Sequence, residues 1–85
     1  MGFMDQIDLP DAPIPGQPLI EIFGHKRVLI ENHKGVIRYS GTEIAVKVMY
    51  GHIVIAGNSL ELSRMTKDTV IVSGMIGGVT LNREG

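Results

Sequence analysis

The chain has 85 residues, enough for one domain with a modest core, and its eight basic and nine acidic residues leave a formal charge of -1. That balance gives no electrostatic footprint for nucleic acid and no polybasic patch for anionic lipid, and it argues against both as partners. Cysteine is absent, so disulfide staples and thiolate metal sites are not available and stability must come from packing or association.

Residues 1–18 hold all four prolines, Pro10, Pro13, Pro15 and Pro18, together with Asp5, Asp8 and Asp11. Proline fixes φ and cannot donate to a ladder, so this stretch is expected to be an extended arm with at most one helical turn before Pro10. The start MGFMDQIDLP has neither a basic n-region nor an apolar h-region, and no apolar run nears the roughly 18 residues of a spanning helix. Met-Gly opens a myristoylation motif only if Ser or Thr stands where this chain has Gln6. A soluble, unprocessed cytoplasmic chain without membrane insertion is the expectation.

From Leu19 the pattern turns to period two. It predicts strands near 19–23, 27–32, 36–40, 43–49, 52–56, 60–65, 69–73 and 78–82, as one repeat domain over 19–85. Asn32-His33-Lys34-Gly35, Tyr50-Gly51, Gly57-Asn58-Ser59 and Thr66-Lys67-Asp68 fall between the apolar runs and supply turn chemistry.

One signature recurs four times: Ile20-Ile22-Gly24, Ile37-Tyr39-Gly41, Ile53-Ile55-Gly57 and Val70-Val72-Gly74, with glycines 17, 16 and 17 residues apart. It predicts an all-β fold of four repeated β-hairpins, about eight strands, as an antiparallel meander curled into a small roll or sandwich. A short β-solenoid with one repeat per coil is the alternative. Each glycine is expected at a turn or bulge requiring φ > 0. The eight apolar signature residues, extended by Val28, Ile30, Ile44, Val46, Val48, Leu60, Leu62, Val79 and Leu81, form the predicted core.

On the opposite strand face, the position three before each glycine runs Glu21, Arg38, Val54, Ile71, so that face becomes apolar toward the C-terminus. With Ala56, Met75 and Ile76 it needs cover, either from the protein's own second layer or from another subunit. Val54, Ile71, Met75 and Ile76 are therefore candidate interaction residues.

No catalytic centre, metal site or cofactor site is expected. His25, His33 and His52 fall in or beside turns without a second ligand at metal spacing, and Ser40, Ser59, Ser63 and Ser73 lack a nucleophile elbow. Gly74-Met75-Ile76-Gly77-Gly78 has no following helix and no Lys-Ser/Thr, so it is not a phosphate loop.

The run Ile30-Glu31-Asn32-His33-Lys34-Gly35, followed by Val36-Ile37-Arg38-Tyr39-Ser40, resembles the YabP/YqfC sporulation protein family, its YqfC side more than its YabP side. The likeness extends from Asp8-Leu9-Pro10 to Leu81 and takes in Ile22-Phe23-Gly24, Gly51 to Gly57 with Leu60, and Val70 to Gly74. Two departures stand out: Thr66-Lys67-Asp68-Thr69 replaces the family's acidic pair, and the arm is short with little basic character. The resemblance implies a non-enzymatic protein made in the mother cell of endospore formers, with an assembly role and a YqfD-like membrane protein as partner. It brings no catalytic residues and nominates Asn32, His33, Lys34 and Gly35 as a distinctive surface turn. Asn32 and Gly35 also suit a hairpin turn because both tolerate αL geometry. Two functions follow as expectations: a scaffold that forms homo-oligomers and docks on a membrane-bound partner, or a small β-rich ligand-binding module.

Overall fold

The computed structural model describes residues 16–84, and every regular element among them is a β-strand. Strands β1 (Leu19–Phe23), β2 (Arg27–Glu31), β3 (Gly35–Tyr39) and β4 (Glu43–Val48) have five or six residues. Strands β5 (Gly51–Met65) and β6 (Thr69–Arg83) have 15 each. All pair antiparallel in one open sheet of order β1-β2-β6-β5-β4-β3. The antiparallel ladders rule out stacked solenoid coils. The proline-containing arm falls, up to Pro15, outside the described residues.

Six strands replace the expected eight because Gly57 and Gly74 do not end hairpins. Pairing of β5 with β6 runs on past both, with register shifts at Ala56/Gly57, Asn58/Glu61 and Leu62/Arg64. A Cβ on Gly57 would collide with the Met75 carbonyl, and one on Gly74, at φ +139°, would lie 2.5 Å from the Ser59 carbonyl oxygen. The two glycines thus mark a close approach at a bulged bend inside one long hairpin. Gly24 and Gly41 do lie in turns, and those turns cap the bend. Gly74 N donates to the Lys26 carbonyl (3.1 Å) and Ile76 N to that of His25 (2.8 Å). On the other strand Gly57 N donates to the Thr42 carbonyl (3.0 Å) and Leu60 N to that of Gly41 (2.8 Å).

The bend divides the sheet into halves. One holds β1, β2 and the hairpin-tip portions of β5 and β6; the other holds β3, β4 and their base portions. The link from β2 to β3 shows that the halves fold onto each other. Glu31 pairs with Thr69, whereas Gly35 pairs with Lys47, which stands in row with His52 and Asn82. In a flat sheet those rows would be roughly 40 Å apart along β6 and about 19 Å apart across the strands. Four Cα steps span at most about 14 Å. Only a folded sheet lets Asn32-His33-Lys34 make the connection.

Folding creates one core from both halves: Val28, Ile30, Val70 and Val72 with Ile44, Val46, Val48, Ile53, Ile55 and Leu60. Each fully buried aliphatic side chain contributes roughly 1.5–3 kcal/mol. Ile20, Val36, Leu62, Ile76 and Val79 pack around it. Four expected core residues are instead exposed: Ile22, Ile37, Tyr39 and Leu81. Ile22 and Tyr39 point the same way as their buried partners Val28 and Ile44 but lie on the edge strands, with one flank open. Ile37 is the extra residue at the β3 bulge, and Leu81 borders a groove.

Candidate interaction surface

Asn32, His33, Lys34 and Gly35 form the crossover between the half-sheets rather than a hairpin turn. Asn32, at φ +65°, donates from N to the Asp68 carbonyl (2.7 Å) and from Nδ2 to that of Gln17 (2.8 Å). Lys34 N donates to the Lys47 carbonyl (2.7 Å). Between them the His33 ring accepts at Nδ1 from Gly35 N (3.0 Å), which leaves the hydrogen on Nε2, and that atom donates to the Thr66 carbonyl (2.8 Å). His33 therefore ties the β5–β6 tip to the start of β3 in the opposite half, Asn32 ties that tip to the end of β2 and to Gln17, and the exposed Lys34 side chain takes no part in these bonds.

Val54, Ile71, Met75 and Ile76 are not brought together. Val54 stands between Ala45 and Thr80 in one half, and Ile71 between Leu29 and Arg64 in the other. Both are half-buried. Met75 is exposed at the bend, and Ile76 packs against the core. The expected continuous apolar face is thus four separate positions.

Folding leaves two seams. At one, Leu62 N of β5 donates to the Tyr39 hydroxyl of β3 (3.4 Å), so the aromatic ring bridges the gap. At the other, a groove of about 380 Å³ opens between β1 and the end of β6, lined by Pro18, Ile20, Met49, Tyr50, Leu81 and Arg83 among others. Among the described residues, strands β1 and β3 end the sheet with one side of each ladder unpaired. Beside β1 stand exposed Leu19, Ile22 and Phe23; beside β3, exposed Ile37 and Tyr39.

Which strands hold the open edges, and which residues line the groove, sequence reasoning did not say. The run Leu19-Ile20-Glu21-Ile22-Phe23, with one charge and no proline or glycine, was the available signal for an unprotected edge. Among the described residues no three His, Cys, Asp or Glu side chains group as metal ligands.

These features define an all-β domain built on one bent antiparallel sheet whose open edges carry apolar side chains. The YabP family model matches residues 16–85, and the chain belongs to the YabP/YqfC family. It is 23% identical over 70 residues to the uncharacterized protein YqfC of Bacillus subtilis (strain 168), across 82% of this chain and 75% of that protein. No solved structure matches significantly.

Proposed function

We propose that this protein is a non-enzymatic assembly module of sporulation that self-associates through its sheet edges and docks on a membrane-anchored partner of the YqfD type. Family membership supports the sporulation setting. The observation that carries the assembly reading is the β1 edge. Its five residues pair with β2 in unbroken register on one side, leaving the other side, among the described residues, open beside Leu19, Ile22 and Phe23, which are 49%, 54% and 47% exposed. A regular edge with apolar flanks is a template for strand addition. Among the described residues no helix is long and apolar enough to cross a membrane. In this reading the protein works in the mother-cell cytoplasm and meets the membrane through its partner.

Light scattering behind size exclusion, over a range of concentrations, tests the reading against the 9.2 kDa chain mass. Masses at multiples of that value and co-elution with a detergent-solubilised YqfD-type protein are expected. A single-chain mass throughout, without co-elution, defeats it.

The groove at the β1–β6 seam favours a second reading, a small-ligand module. Ile20, Met49 and Leu81 supply apolar walls and Arg83 a cation. Saturable, one-to-one binding of anilinonaphthalene sulfonate, lost in Arg83→Gln and Leu81→Asp, would support it.

A further inference from the structure

We infer that copies of this chain join head to tail, the β1 edge of one pairing antiparallel with the β3 edge of the next. This rests on the self-association proposed above and names its surface.

The two edges differ in kind. β1 is regular, whereas β3 carries a bulge between Val36 and Arg38, a feature that blunts an edge against its own kind. Beyond the bulge Arg38 and Tyr39 return to register with Ala45 and Ile44, so the outer end of β3 still offers strand geometry.

Charge selects between pairings. Glu21 is the one charge on β1 and makes no ion pair among the described residues. Arg38 is the one charge on β3, exposed, and among the described residues its ion pair is with Glu43 at 3.1 Å. Full antiparallel pairing of two β1 edges sets Glu21 against Glu21, and slipping by two residues sets it against Phe23 or Leu19, with no opposite charge to meet. Two β3 edges bring bulge to bulge. Setting Glu21 opposite the next copy's Arg38 instead aligns Ile20 with Tyr39 and Ile22 with Ile37. Ile37 and Tyr39 are 58% and 56% exposed in the single chain. Opposite charges then face each other beside the Ile20–Tyr39 apolar pair, with Ile22 meeting the apolar residue of the bulge. Sides agree as well, since Glu21 lies beside Leu29 and Arg38 beside Ala45, away from the core, while Ile20 and Tyr39 lie on the core side. Each copy uses a different edge toward each neighbour, so the assembly grows as a ring or a filament rather than stopping at a dimer.

The full-length chain with Glu21→Arg, the chain with Arg38→Glu, and their equimolar mixture test this by light scattering, with circular dichroism to check retained β structure. Each variant alone opposes like charges at every junction and is expected at 9.2 kDa; the mixture restores opposite charges at every junction and is expected to regain wild-type mass. Because the chain has no cysteine, oxidising a mixture of Ile22→Cys and Ile37→Cys chains gives a second readout, with the mixed disulfide exceeding both like-with-like products. Multimers that survive both charge reversals, or reversals that break assembly without recovery on mixing, overturn the β1–β3 pairing while self-association stands. A wild-type mass of one chain at every concentration overturns both.

Discussion

His33 of the crossover reaches Thr66 at the tip of the long hairpin, its Nε2–H donating to the Thr66 carbonyl over 2.8 Å. These residues are 33 apart in sequence, and the crossover that carries His33 runs from Glu31, paired with Thr69 near the tip, to Gly35, paired with Lys47 in the opposite half. The ring also accepts from Gly35 N, so one imidazole holds both the start of β3 and the far end of the β5–β6 hairpin.

His33→Ala removes both bonds and leaves Gly35 N, in a half-buried place, without its acceptor. A loss of about 1–3 kcal/mol is expected from urea unfolding. Lys34→Ala, which keeps the backbone bond to Lys47, should stay within about 0.5 kcal/mol of wild type. Equal effects of the two would contradict the clamp.

Three glycine-to-alanine variants separate close approach from mere flexibility. Gly57→Ala and Gly74→Ala drive a methyl group into the Met75 and Ser59 carbonyls, and each should lower stability by about 3 kcal/mol or more. Gly78→Ala meets no atom within 4 Å and should be neutral or gain up to about 1 kcal/mol. Thermal melts of the three variants are the measurement.

Ile55 is fully buried opposite Ile44 and Val79, so Ile55→Ala should cost about 2–5 kcal/mol and Ile55→Asp should abolish the cooperative transition. Ile37→Ala, at an exposed bulge, should cost under about 0.5 kcal/mol. Chemical denaturation of both variants tests whether edge isoleucines share the core's role.

Val54→Glu and Ile71→Glu occupy different half-sheets and share no cross-strand neighbour. Their destabilisations should add to within about 0.5 kcal/mol in the double variant. Strong coupling would mean that the two side chains meet on one surface, in this chain or between copies.

Alternation made the first four strands legible almost to the residue, because each is short, keeps period two and stops at a run of turn-forming residues. The second half was misdivided at Gly57 and Gly74 for a definable reason. A glycine after two alternating apolar residues suits a turn with φ > 0, as at Gly24, and equally suits a bulge where another backbone comes close, as at Gly57. Local sequence carries no term that separates these; the partner strand decides. Core membership failed at Ile22, Ile37 and Tyr39 because periodicity reports which face a side chain takes, not whether its strand lies at the sheet's edge. The Asn32–Gly35 run was recognisable as distinctive and as tolerant of αL geometry. Its clamp role depended on knowing that β2 and β3 belong to opposite halves. The open β1 edge was visible in composition, but only the strand order shows that no other described strand lies beyond it.

The neighbours of β2 set a timetable for the newly made chain. Glu31 waits for Thr69, made 38 residues later, and Arg27 waits for Ser73, 46 residues later. Until then the β1–β2 hairpin has no partner on its inner side, and an isolated hairpin is marginal in water. Synthesis therefore has to pass Ser73 before β1 and β2 can settle, and the long-range pairing should make refolding slow, in the millisecond-to-second range of such topologies. During that interval both flanks of the hairpin are open to other chains, so a crowded translation site is where faulty pairing would begin.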